Sequence, residues 1–366
     1  MRVAFVHDYL TQFGGAERVL LEILKLYPEA PLYTSLSDAA IVRDHFSHVD
    51  VRASFLQRIP GAPSRFRSFL PLYPAAFESL RLHDYDLVIS STTAFAKGVR
   101  VAPHAVHVCY INTPTRFLWY PEEYASPIIP PLLRPFFRLC TPGLRLWDLA
   151  AAQRPHRLVS NSQHVATRVR EIYRRSSDVV HCPVDAAEFS ETVEAGDSFL
   201  VMTRLLPYKR VQLAIEACNA LALPLIVAGT GPDEKRLQAL AGPTISFAGQ
   251  VDDAQRRRLI QRARALIVAG TEDFGLVSLE AAAAGRPTVA YRAGGALETV
   301  VEGETGIFFD EPTSHSLARA LQALSAAAFD RARMAAHVKR FSPDLFRAKL
   351  AALIEQYLRE RQNGKP

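Results

Sequence analysis

The chain has little with which to cross-link itself or to chelate a metal. Its four cysteines, Cys109, Cys140, Cys182 and Cys218, are scattered over 366 residues, and no pair stands at metal-ligand spacing. Reduced thiols in a cytoplasmic protein are the simplest expectation. Long apolar runs are lacking too. No stretch approaches about 18 uncharged apolar residues, so no membrane-spanning helix is expected. Met1-Arg-Val-Ala-Phe-Val6 holds four consecutive apolar residues before His7 and Asp8, too few for a secretion signal. Charge is not concentrated: a formal +6 over this length is mild, and no basic stripe interleaved with aromatics marks a nucleic-acid surface. Gly229-Thr-Gly231 lacks the third glycine and the later acid of a dinucleotide fingerprint. No repeat of solenoid period is present.

What is present is a hydrophobic content of 49%, enough for two domains with a core each. Short apolar runs alternate with helix-forming stretches, the pattern of parallel sheets covered by helices. Val3–Val6, Leu32–Ser35, Val49–Val51, Tyr85–Ser91, Ala105–Tyr110, Arg157–Ser162 and Val179–Asp185 read as strands of the first half. Ser198–Met202, a strand from Pro224, Ile245–Val251, Ala265–Ala269, Thr288–Tyr291 and Gly303–Phe309 read as those of the second.

The most informative stretch is Ala269-Gly-Thr-Glu-Asp-Phe-Gly-Leu-Val-Ser-Leu-Glu-Ala-Ala-Ala-Ala-Gly-Arg-Pro287. A buried strand runs into a short polar loop. A helix is expected from about Leu276 to Ala284, stopped by Gly285 and Pro287. Gly275 admits another group close to the backbone. The helix start behind it offers N–H groups and the positive end of a dipole, which suits an anion. Glu272 and Glu280 on either side repel an anion but accept hydrogen bonds from hydroxyls. An anion flanked by two polyol acceptors describes a nucleotide diphosphate sugar. Upstream, strand Ser198–Met202 delivers Arg204 and Lys209, a planar fork and a point charge suited to gripping a diphosphate. In isolation such a pair is usually a solvated surface.

Glu272 and Glu280, with Phe274-Gly275 between them and Gly285-Arg-Pro287 after, resemble the paired-glutamate motif of glycosyltransferase family 4. The resemblance implies a retaining enzyme of the GT-B fold. Two doubly wound, Rossmann-like α/β domains then face a cleft, with the acceptor on the first and the nucleotide-sugar donor mainly on the second. It implies domains at residues 1–190 and 191–342, because the family's first domain closes on a strand like Val179–Asp185. A final helix at about 343–366 then crosses back to the first domain. Arg204, Lys209 and the helix start at Phe274, Gly275, Leu276 and Val277 take the donor diphosphate in this reading. Glu280 takes the ribose, Glu272 the hexose, and Gln250-Val251 the base. Gly14 and Gly15 form the family's loop after the first strand, facing the donor. Arg204, Lys209 and Glu272 are the implied catalytic set, with the cations stabilising charge on the leaving diphosphate. No metal or cofactor is expected: two cations and a helix end do that task, and Asp252-Asp253 reads as a helix cap.

The branch resembled is that of the mannosyltransferases of O-antigen and exopolysaccharide assembly. It implies GDP-mannose as donor and a lipid-diphosphate-linked sugar or oligosaccharide as acceptor, at the inner membrane surface. In that branch the loop after the strand Ala105–Tyr110 reads Cys-His-Thr-Pro, and its histidine contacts the donor sugar. Here Asn112 takes that place; an amide bonds a hydroxyl but carries no proton. Arg116, just beyond, is either a contact for an acceptor phosphate or a structural arginine. Ser54–Tyr73 interleaves Arg58, Arg65 and Arg67 with Phe55, Phe66, Phe69 and Leu70. That suits an anionic membrane interface or a lipid diphosphate, and equally a packed helix pair with solvated arginines. Pro127–Leu139, with four prolines, cannot span a bilayer but fits resting on one or lining an acceptor cleft. A UDP-sugar donor, a GT-B epimerase or phosphorylase, and a non-catalytic sugar- or membrane-binding protein on the same fold stay open as rivals.

Overall fold

The structure, a computed structural model, describes residues 1–122, 134–191 and 193–363. The chain divides into two compact units, Met1–His181 with Asp344–Pro366, and Cys182–Pro343. Among the described residues, no helix is long and apolar enough to cross a membrane.

The first unit is built on seven strands: β1 (Val3–His7), β2 (Leu32–Thr34), β3 (Val51–Ala53), β4 (Leu87–Thr92), β5 (Val106–Ile111), β6 (Arg157–Ser160) and β7 (Asp178–Val179). They pair in parallel in the order β3-β2-β1-β4-β5-β6-β7. β4 and β5 are buried at every residue, as strands covered on both faces by helices must be. The second unit holds β8 (Phe199–Met202), β9 (Leu225–Ala228), β10 (Ile245–Gly249), β11 (Leu266–Val268), β12 (Thr288–Tyr291) and β13 (Gly306–Phe309), paired in parallel as β10-β9-β8-β11-β12-β13. Both sheets are thus doubly wound. Chain order reverses between β1 and β4 in one and between β8 and β11 in the other, where open α/β sheets bind ligands.

Three segments differ from the sequence reading. Ser54–Tyr73 forms 3-10 turns at Phe55–Arg58 and Pro63–Leu72 rather than a helix pair. Pro60, Pro63 and Pro71 supply no N–H for longer helix ladders. In Val179–Asp185 only Val179 lies in a strand, as the end of β7; the Val180 N–H still donates to the Ser160 carbonyl at 3.0 Å, and Pro183 has no N–H to carry a ladder further. Of Pro127–Leu139, residues 127–133 lie outside the described residues, and a helix runs over Arg134–Ala151. Pro135 sits in its first turn, where no bond is lost. The closing helix Pro343–Gln362 joins the first unit from Asp344 onward. There Arg347 pairs with Glu22, Arg157 with Glu360 at 2.9 Å, and Tyr357 donates to Asp178 at 2.5 Å. Phe346 meets Tyr110 edge-on at 5.8 Å.

A buried ion pair ties the exits of β4 and β5 to the helix Arg134–Ala151. Lys97 Nζ lies 2.6 Å from Asp148 Oδ1, both side chains at most 1% exposed. Asp148 also accepts from Thr115 Oγ1 at 2.6 Å and Trp119 Nε1 at 2.8 Å, so it anchors the loop that carries Asn112 and Arg116. Burial alone would lower the Lys97 pKa; the attraction of Asp148 outweighs it and holds the lysine above its ordinary value. Lys97→Met leaves Asp148 buried and unpaired. It is expected to lose about 3–5 kcal/mol of stability, and the double replacement Lys97→Met with Asp148→Leu less. Denaturant unfolding checks this; equal losses would mean that the pairing is not what the site depends on.

Candidate active site

Three strand exits of the second sheet meet at its switch point. β8 leads into a loop holding Arg204 and a 3-10 turn, Pro207–Lys209. β11 leads into Gly270–Gly275, and β12 into Gly294-Gly295. The loops touch backbone to backbone. A Cβ on Gly270 would stand 2.6 Å from the Tyr208 carbonyl oxygen and 2.7 Å from Lys209 Cα, distances no side chain tolerates. On the other side, Gly295 N–H donates to the Glu272 carbonyl at 2.8 Å. Glu272 is therefore gripped between neighbours, and its carboxylate receives the Lys209 ammonium at 2.7 and 2.6 Å. The pair is part-buried, with 12% and 18% of the side chains exposed.

The helix Leu276–Ala283 follows directly. Gly275 caps it at φ 96°, a backbone that side-chain-bearing residues rarely adopt. The N–H groups of Leu276 and Val277 lie in the first turn, where helix geometry supplies no acceptor. Ser278, in the same turn, keeps a buried hydroxyl without a hydrogen-bond partner. Phe274 is buried, its ring 5.9 Å from Phe341, so only its backbone is available to a ligand. Glu280 is 7% exposed, and its Oε1 lies 2.6 Å from Arg256 Nη1. Arg256 belongs to the helix Asp253–Arg262, capped by Asp252 through a reciprocal bond with Gln255. Burial would lower the Arg256 pKa, but Glu280, Glu188 and Asp253 raise it above the ordinary arginine value.

The structure thus joins Lys209 to Glu272 and sets Glu280 one helix turn beyond Leu276 and Val277. Arg204 is exposed on the β8 loop, and Gln250 and Val251 follow β10, exposed and half-buried. Sequence reasoning missed Arg256 and the glycine contacts. A signal for the first existed: Arg256 precedes buried Ile260 by four residues, on the inward face, among three consecutive arginines.

The remaining expected residues belong to the first unit. Gly14 precedes the helix Gly15–Leu24, and its N–H is taken by Glu17 at 2.8 Å. Asn112, 7% exposed, donates to Ser91 Oγ at 3.1 Å, and Arg116 opens the short helix Arg116–Trp119. At this sheet's own switch point the carboxylate of Asp8 accepts from Ala94 N at 2.9 Å, Phe95 N at 2.8 Å and Ala96 N at 2.7 Å. A nest of N–H groups after β4 that could take a phosphate is already filled.

Comparison with known proteins meets this geometry. The family model described as "Glycosyl transferases group 1" matches residues 185–341, which contain every side chain of the second-unit site. Residues 185–341 thus carry the group 1, or family 4, glycosyltransferase domain. This glycosyltransferase is 26% identical over 280 residues to a phosphatidyl-myo-inositol mannosyltransferase of Mycobacterium leprae, covering 74% of this chain and 69% of that protein. A D-rhamnosyltransferase, WbpZ of Pseudomonas aeruginosa, is 28% identical over 30% of this chain and 31% of its own. Among solved structures, HepE of Anabaena in complex with UDP superposes with a TM-score of 0.73 at 19% identity, covering 97% of this chain and 100% of that one. The fold is GT-B, and the protein is an enzyme that transfers glycosyl groups.

The Lys209–Glu272 pair yields a prediction that separates its two members. Lys209→Ala is expected to weaken binding of a nucleoside diphosphate about tenfold or more. Glu272→Gln, which releases the ammonium, is expected to strengthen it several-fold while transfer is lost. Isothermal titration with GDP and UDP measures both; a Glu272→Gln variant that binds more weakly would contradict the pairing's role.

Proposed function

We propose that this retaining glycosyltransferase moves mannose from GDP-mannose to a lipid-diphosphate-linked sugar or oligosaccharide in surface-polysaccharide assembly. The observation that carries the donor site is the Lys209–Glu272 pair beside the start of the helix Leu276–Ala283. A diphosphate arriving there offers the ammonium a stronger anion than Glu272. Lys209 transfers to it, joined by Arg204 and the Leu276 and Val277 N–H groups, and the freed Glu272 carboxylate accepts from hexose hydroxyls. Glu280 accepts from the ribose hydroxyls. As the bond from the sugar's anomeric carbon to the phosphate oxygen breaks, the acceptor oxygen bonds on the same face. Its proton passes to the leaving phosphate oxygen, so no side-chain base is required and the anomeric configuration is kept.

Likeness to the mycobacterial mannosyltransferase supports the mannosyl reading. A second reading, a UDP-hexose donor, is favoured by the structural neighbour HepE, solved in complex with UDP-glucose. In the first unit, Gly14 and Gly15 are proposed to face the donor, and Asn112 and Arg116 the acceptor. Contact with an anionic membrane surface is proposed for the same unit. Arg58, Arg65 and Arg67 are exposed there, and Phe136, Leu139 and Leu146 line one face of the helix Arg134–Ala151 at 55%, 79% and 70% exposure.

Two measurements test this. Turnover with GDP-mannose, UDP-glucose and their products is expected to favour GDP-mannose, with Glu280→Ala or Lys209→Ala abolishing it while the fold survives. Near-normal turnover in either variant, or a β-linked product from an α-linked donor, overturns the mechanism; preference for UDP-glucose selects the second reading. Cosedimentation is expected with phosphatidylglycerol vesicles and not with phosphatidylcholine vesicles, and to be lost on Leu139→Glu. Equal binding to both lipids overturns the membrane contact.

A further inference from the structure

Glu280 is a buried carboxylate, and a charge taken out of water needs a partner of opposite sign. Its partner is Arg256, itself 6% exposed, whose Nη1 reaches Glu280 Oε1 at 2.6 Å. The guanidinium is fixed in turn. Glu188 Oε2 accepts from Nη2 at 2.7 Å, Asp253 Oδ1 from Nε at 3.2 Å, and the Phe189 ring lies 5.6 Å beneath it. Nε and Nη2 are thus hydrogen-bonded, Nη1 meets Glu280 as an ion pair, and of these carboxylates Glu280 stands on the helix whose start is the proposed diphosphate site. Neighbouring Arg257 is more exposed and lies 3.8 Å from Glu188.

Resting on the donor reading above, we propose that Arg256 is the positioning residue for ribose recognition, holding the Glu280 carboxylate in one orientation towards the ribose hydroxyls. Arg256 touches no substrate; it acts through Glu280. The arrangement explains why one arginine of three faces inward among three carboxylates. A loose Glu280 would still sit beside the diphosphate but would meet the diol out of line, and misplacement of that size is costly to recognition.

The test compares binding of GDP and UDP with that of their 2′-deoxy and 3′-deoxy forms, by isothermal titration, together with inorganic pyrophosphate. The wild-type protein is expected to prefer the ribonucleotide about tenfold. In Arg256→Met that preference falls towards one, pyrophosphate binds as before, and the donor KM rises with little change in kcat. Arg257→Met keeps the wild-type preference. An Arg256→Met protein that retains the full preference overturns the proposal, as does one that loses pyrophosphate binding equally, since the effect would then be collapse of the whole site. If Arg256→Met does not fold, Arg256→Gln, uncharged but able to bond Glu188, is read in the same way. A wild-type protein indifferent to the ribose hydroxyls overturns the role of Glu280 itself, and Arg256 with it. That outcome is distinct from failure of Arg256 alone.

Discussion

The contact on which the donor site depends is the ion pair between Lys209 and Glu272. It joins two strand exits at the reversal of the second sheet, and it exists only because Gly270 lets the chain at Lys209 pass at backbone distance. Two like-charged groups would not share so enclosed a space, and one charge alone would be costly to hold there. The pair keeps the lysine where the proposed diphosphate would need it and the carboxylate where the proposed sugar hydroxyls would need it. In the proposed reading, exchange of one anion for another at Lys209 would couple diphosphate binding to sugar recognition.

The first sheet has the same topology and a different outcome. Its switch point also presents a run of backbone N–H groups after β4, but Asp8 from β1's exit already occupies them. A phosphate would have to displace a carboxylate held by several backbone donors. Nearby, Glu17 closes the Gly14 N–H, and Lys97 with Asp148 locks the β5 exit loop. In one doubly wound unit Asp8 fills the backbone nest, and in the other the strand exits pair Lys209 with Glu272. The difference lies in which residues leave the strands, not in the sheets.

Much of this was legible in the chain. The helix after Gly275 begins where the glycine and the run of strong helix formers place it, and Asp252 caps the helix expected of it. Strands β4, β5, β8 and β11 declare themselves because burial on both faces demands continuous apolar runs. Less legible were the 3-10 turns of Ser54–Tyr73. Apolar spacing there resembles a helix, and only the prolines forbid the longer ladder. The pairing partners were illegible. Glu280 and Arg256 are 24 positions apart and Lys209 and Glu272 are 63, and no local periodicity links them.

By itself the sequence determined the alternation of strand and helix, the helix start proposed to take an anion and the set of charged residues around it. These are local properties: propensity, glycine backbone freedom and hydrophobic period act over a few residues. Tertiary structure decided which charge neutralises which, that Phe274 offers only backbone, and that Asp8 fills its own nest. Those outcomes turn on distances between segments far apart in the chain, set by how closely strand exits pack once both sheets have formed.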